Sequence, residues 1–147
     1  MTTKTAFPRI LVRNLQRATR INAVDLEKFV SRAVQACLKL RKPERTELKM
    51  LCDVFVLLIS DRKMSELHRR FLNQCGPTDV LTFDHGEIFI SVETAKRNAR
   101  AFGSSLGEEL RLYIIHGLLH LHGFDDSSDT SARIMARTQQ KILRQIA

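Results

Sequence analysis

The residues best suited to chemistry lie close together: His116-Gly117-Leu118-Leu119-His120-Leu121-His122-Gly123-Phe124-Asp125-Asp126. On an α-helix, histidines four apart sit about 40° from each other around the axis and one turn apart along it. His116 and His120 can therefore offer two imidazole nitrogens to one metal ion without bending the backbone. Gly123 suits the position just past a helix end, where the chain reverses. The acidic turn beyond it can swing a third ligand back. The same spacing is also compatible with packed or solvated histidines. However, Tyr113, Ile114, Ile115, Leu118, Leu119 and Leu121 make this helix apolar nearly all round, which predicts burial. Buried imidazoles need partners, and a metal supplies them. Zincin proteases carry HExxH, with the glutamate as general base. Gly117 occupies that position here, which argues against such a protease.

Elements must hold this stretch in place, and 147 residues suffice for one domain, residues 1–147, with a real core. The apolar run around residues 112–121 is too short to span a bilayer. Met1-Thr2-Thr3-Lys4 lacks the apolar region of a secretory signal. Cys37, Cys52 and Cys75 are odd in number, widely spaced and form no CxxC, so they read as reduced thiols. The expected address is the cytoplasm, with no membrane partner. Net charge is +8, and residues 1–50 carry all of that excess, with 12 Lys and Arg against 4 Asp and Glu. Such asymmetry fits a polyanion, most simply nucleic acid, or else a basic surface that aids solubility. Tyr113 is the only tyrosine and tryptophan is absent, so phosphate contacts are favoured over base stacking.

Along the chain, Pro8 to Gln16 reads as a strand, and Asn22 caps a helix from about Ala23 to Leu40. Lys39 to Lys49 is a charged connection containing Pro43. Cys52 to Ser60 holds Val54, Phe55, Val56, Leu57, Leu58 and Ile59, a continuous run that suggests a strand buried on both faces. Ser60 and Asp61 cap a helix through about Leu72. Val80 to Phe83 and Glu87 to Ser91 form a hairpin around Asp84-His85-Gly86. A helix from about Val92 to Phe102 ends at Gly103. Ser105-Leu106-Gly107-Glu108 is a capping box that opens the histidine helix. Thr130 or Asp129 caps a last amphipathic helix. The expected fold is α+β: about four strands in a mixed sheet, about five helices and a zincin-like histidine helix.

Three stretches resemble one family, the YbeY-type single-strand endoribonucleases, or rRNA maturation factors. Residues 116–126 resemble its HGxLHLxGxDH signature at every fixed position except the last. Pro77-Thr78-Asp79-Val80-Leu81-Thr82-Phe83 is similar to its PTDVLSF block. Gly86 to Ser91 followed by Glu93-Thr94-Ala95 is similar to its GDIxIS-ETA block. The resemblance implies a metal-dependent endoribonuclease in rRNA processing, including 16S rRNA 3′-end maturation and ribosome quality control. The implied partners are single-stranded and ribosomal RNA and small-subunit proteins. It also implies one divalent ion, zinc first, held by His116, His120 and Asp126. Asp126 stands where the family has a third histidine; a carboxylate can replace it, with His122 or Asp125 as competing ligands.

Phe71 and Leu72 fall where the family carries a Tyr-Arg pair, and Arg69, three residues earlier, can substitute for the missing arginine. In the expected mechanism, Arg69 stabilises charge on phosphorus and Asp125, or the metal-bound hydroxide itself, takes the proton. Thr78, Asp79 and Phe124 are expected to be structural, and Asp129 a cap. A metal-stabilised but non-catalytic ribosome-assembly or RNA-binding factor is the second reading. A hydrolase acting on another substrate, including a peptide, is the third.

Overall fold

The computed structural model of the protein describes residues 7–42, 45–74, 76 and 78–146. Met1 to Lys4, Pro43, Cys75 and Pro77, which figure in the sequence expectations, lie outside the described residues. Four β-prone runs form β1 (Arg9–Asn14), β2 (Asp53–Ile59), β3 (Val80–Thr82) and β4 (Glu87–Ser91). They make one mixed sheet in the order β1-β2-β4-β3, with β3 antiparallel to β4 and the other pairs parallel. The register sets Val56 beside Ile88 and Leu58 beside Ile90, giving one continuous apolar face. The far face is only partly covered: Phe55 and Leu57 remain half-buried, so β2 is not buried on both sides along its length. Its covering helix, α3 (Asp61–Leu72), packs against β4 and the later α4 (Val92–Phe102) and does not reach over all of β2.

Gly86 closes the hairpin at a φ of 104°, and a Cβ there would lie 2.5 Å from the Asp53 carbonyl oxygen. Only glycine lets this backbone approach β2, where its own carbonyl accepts the Phe55 N–H at 2.8 Å.

Six helices form among the described residues. Asn22 caps α1 (Ala23–Leu38) as expected, its side chain accepting from Asp25 N. The helix beyond the expected five is α2 (Glu47–Met50), inside the connection read as merely charged. One turn has no periodicity to detect, yet Thr46 caps it and Leu48 is fully buried. The GDIxIS-ETA-like stretch proves to be a clamp between helix ends. The hydroxyls of Ser91 and Thr94 donate to Asp61 Oδ1, Arg97 pairs with its Oδ2 at 2.7 Å, and Glu93 accepts the Asp61 N–H. Burial alone would raise the Asp61 pKa, but the hydrogen bonds from Arg97, Ser91 and Thr94 and the Arg97 charge outweigh it and lower it.

The central helix is α5 (Leu106–Leu121), opened by the expected Ser105/Glu108 capping box. It packs against α1, α4, α6, β3 and β4, which is why it is apolar all round. Ile114, Ile115, Leu118 and Leu119 are fully buried, each contributing about 1.5–3 kcal/mol. Gly117 lies where the helix crosses the sheet, and a Cβ there would come within 2.9 Å of Ile88 Cγ2. The last helix is α6 (Asp129–Ile146). Its cap is Ser128, not Asp129 or Thr130, because the Ser128 hydroxyl accepts the Ser131 N–H at 3.1 Å. Asp129 instead begins the helix, where its charge suits the N-terminal turn.

Candidate metal centre

Burial of α5 fixes where His116 and His120 can point. Ile115, Leu118 and Leu119 face the core, leaving the two imidazoles half-buried on the stripe between β3 and α6. Their rings are 4.6 Å apart at 80° to each other. His116 Nδ1 donates to Gln139 Oε1 on α6, and His120 Nδ1 donates to the Phe124 carbonyl at 3.1 Å. Both acceptors fix the proton on Nδ1, so each Nε2 carries a lone pair. Those two Nε2 atoms face each other at 3.0 Å. Two lone pairs at that distance repel unless a cation or proton lies between them. Burial and then the neighbouring His116 lower the His120 pKa, against the opposing pull of Asp126, which favours the neutral, ligand-competent ring.

The turn released by Gly123, at a φ of 90°, brings Asp126 Oδ2 to 3.9 Å from His116 Nε2 and 4.0 Å from His120 Nε2. A donor triangle of this size suits one ion with bonds of about 2.0–2.2 Å, and two neutral imidazoles with a carboxylate are a zinc-type set. The three residues fit the ion that the histidine spacing implies.

The competing ligands are drawn elsewhere. His122 is fully buried on the opposite side of the turn; its Nε2 donates to the Leu40 carbonyl at 3.0 Å and its Nδ1 accepts from the Thr46 hydroxyl at 3.0 Å. Asp125 Oδ1 accepts the Ser127 hydroxyl at 2.8 Å and the Ser127 N–H at 3.1 Å. Those bonds hold its carboxyl below the ordinary range and make it a weaker base. Phe124 is half-buried, with the Lys42 ammonium 4.5 Å above its ring. Asp79 is structural: its carboxylate accepts the Val80 N–H and the Thr78 hydroxyl, and its carbonyl accepts from Ser91.

A cleft of about 320 Å3 opens beside the histidines, walled on the other side by Val80, Leu81, Thr82 and Asp84 of the hairpin. Neither Arg69 nor Asp125 lines it. Arg69 is exposed on α3, the helix on the far face of the sheet, whose end is pinned to the hairpin by Phe71 packing on Phe83 at 5.5 Å. Gln139 and Asp84 were not singled out from the sequence. The one sequence signal at Gln139 is its place on the apolar stripe with Met135 and Ile142; its partner, His116, comes from another element, and there it is 9% exposed. Asp84 carried none beyond its place in a turn.

Fold and donor set together define an α+β domain with a three-donor cluster formed by a zincin-like histidine helix and the turn that follows it. The chain belongs to the YbeY endoribonuclease family: the family described as "Endoribonuclease YbeY" matches residues 11–147. It is 36% identical over 102 residues to Endoribonuclease YbeY of Bacteroides thetaiotaomicron, covering 65% of this chain and 74% of that protein. Against Endoribonuclease YbeY of Nautilia profundicola it is 36% identical over 102 residues, 64% of this chain and 72% of the other. A solution structure from Thermotoga maritima superposes with a TM-score of 0.64 at 30% identity, covering 94% of this chain and 87% of that one. Among the described residues, no helix is long and apolar enough to cross a membrane.

Proposed function

We propose that this chain is a metal-dependent endoribonuclease specific for single strands. Its His116, His120 and Asp126 hold one divalent ion, zinc by donor type. We further propose that its substrates are ribosomal precursors, with 16S rRNA 3′-end maturation and ribosome quality control as its setting. Small-subunit proteins are its partners and the cytoplasm its place of action. Membership of an endoribonuclease family supports the nuclease reading. The observation that carries the metal is the pair of Nε2 lone pairs at 3.0 Å, each imidazole locked by an acceptor behind it.

A divalent ion there supplies Lewis-acid activation of water and of the scissile phosphoryl oxygen. The chain's own residues do the rest. Gln139 and the Phe124 carbonyl orient the two imidazoles. Gly117 admits no glutamate, so the proton acceptor must come from outside α5. Asp125 is committed to Ser127, whereas Asp84 lines the cleft and is the better candidate to take the proton on its carboxylate. Arg69 is exposed on α3, on the sheet face away from the histidines and outside the cleft lining, so the charge-stabilising role expected of it is not part of this proposal. The open cleft beside the histidines speaks against a metal that only staples the fold.

Elemental analysis of purified protein, with Asp126→Ala beside wild type, tests the centre. We expect about one zinc per chain, lost in Asp126→Ala, and loss of RNA cleavage in folded His116→Ala. Wild type that takes up no metal even after reconstitution would sink the reading and leave an RNA-binding scaffold. Cleavage of a general peptide substrate in place of RNA would favour the third class of hydrolase.

A further inference from the structure

The centre accounts for one end of α5 and leaves a larger cleft, about 730 Å3, between α1 and α6. Arg32, Gln35 and Lys39 line it from the α1 side, and Lys141 and Gln145 from α6, over an apolar floor that includes Leu40 and Ile142. All three cations are exposed, and none has an ion pair among the described residues. No carboxylate and no aromatic ring is among the described lining residues. We propose that this cleft is a second contact site for single-stranded RNA, gripping the sugar-phosphate backbone of the strand as it leaves the metal centre. The inference rests on the nuclease reading above and names how its substrate is held.

Three observations support it. The chemistry is that of backbone recognition: guanidinium and ammonium groups for phosphate, amides for phosphate or sugar, and nothing on which a base could stack. Helix-end stabilisation does not explain the cations. That effect fades beyond the last turn, and Arg32 and Lys141 lie outside the last turns of their helices; only Lys39 sits at a cap. Both walls also belong to elements that touch the residues around the centre. On α6, Gln139 holds His116, and Gln145 follows about 9 Å further along the same axis. On the α1 side, Leu40 lines the cleft while its carbonyl accepts from His122, two residues past His120. Lys42 lies over Phe124, whose carbonyl orients His120, and so continues the basic track toward Asp126.

The test is the salt dependence of binding, read by fluorescence anisotropy. A labelled single-stranded RNA of roughly 12 nucleotides is titrated with full-length protein in the presence of a chelator, so that no cleavage occurs. The variant is Arg32→Gln, Lys39→Gln and Lys141→Gln together. Its control, Arg62→Gln, Lys96→Gln and Arg100→Gln, removes three exposed cations from α3 and α4. Each lost phosphate contact lowers the slope of log K against log salt by about 0.7, so the variant should fall by about 2. Its affinity near about 0.1 M salt should drop on the order of 100-fold, while the control keeps the wild-type slope. Equal slopes in variant and wild type overturn the proposal. In that case RNA cleavage by wild type would still stand, so the cleft fails alone. Wild type that binds no RNA at any salt overturns both readings.

Discussion

Replacing Gln139 by methionine removes one acceptor and nearly nothing else. The side chains are similar in length, and position 139 is 9% exposed on a helix that already packs Met135 and Ile142 inward. What changes is His116. Its Nδ1–H loses the Gln139 oxygen, and an unsatisfied buried donor costs about 1–3 kcal/mol. The ring escapes that cost by moving its proton to Nε2, where it can donate to His120 Nε2, 3.0 Å away. The metal must then displace a proton and break that hydrogen bond. Loss of such an orienting partner typically weakens metal binding 10–100-fold, about 1.4–2.8 kcal/mol. Two measurements check it. Zinc competition against a chromophoric chelator should show the weakened affinity, and nitrogen NMR of metal-free protein should show His116 change from the Nδ1–H to the Nε2–H tautomer. Gln139→Glu should act in the opposite direction, because a carboxylate behind the imidazole makes it a stronger ligand. Unchanged zinc affinity in folded Gln139→Met, with His116 still Nδ1–H, would refute the reasoning.

Gly117→Ala should destabilise the fold by about 1 kcal/mol: overpacking against Ile88 costs about 1–3 and the gain in helix propensity returns up to about 1. Urea melts check this, and a double-mutant cycle in which Gly117→Ala costs less on an Ile88→Ala background than on wild type would locate the clash; an unchanged midpoint for Gly117→Ala alone would show that Ile88 yields freely. Asp61→Asn should lower the melting temperature at neutral pH. Because the folded pKa of Asp61 is depressed, its contribution is fully present above the ordinary value of 3.8 and is lost as pH falls through the lower folded value, so the gap between variant and wild type should close only in acid. Asp84→Asn should reduce the rate of RNA cleavage about 10²–10⁴-fold and leave zinc affinity intact; a fall in both would make Asp84 a ligand or a structural residue.

What the sequence made legible was whatever repeats within one element. The period of α5, its capping box and the four-residue histidine spacing are local, and each is present where expected. The Asn22 cap and the hairpin were legible for the same reason. Features that depend on a second element were not. The burial of β2 depends on how far α3 reaches across the sheet. α2 is a single turn whose only strong signal, Leu48, acquires meaning when the core closes over it. The cap of α6 is Ser128, which follows the Asp125–Ser127 turn and accepts the Ser131 N–H, a choice among neighbouring polar residues that no count of residue types reveals. Helical spacing puts Arg69 near the place of Leu72, but the sheet sets α3 on the face away from α5. Gln139 pairs with His116 across 23 positions of sequence.

The helix that carries the histidines can be central only because it is apolar on every other side, and that centrality limits the chemistry it can host. Where α5 crosses β4 the axes come so close that a methyl group at position 117 must push the Ile88 side chain aside. The HExxH arrangement, with ligand and base on one helix, would therefore require Ile88 to be displaced in this chain. In the mechanism proposed above, the helix supplies metal ligands and the proton goes to the facing wall, which is the β3–β4 hairpin with Asp84 at its turn. The hairpin is in turn fixed by Gly86, the second place where a Cβ would strike the neighbouring strand. Two glycines thus bring sheet, helix and hairpin close enough for ligands and base to come from different elements. That separation leaves the cleft between them open to an extended strand.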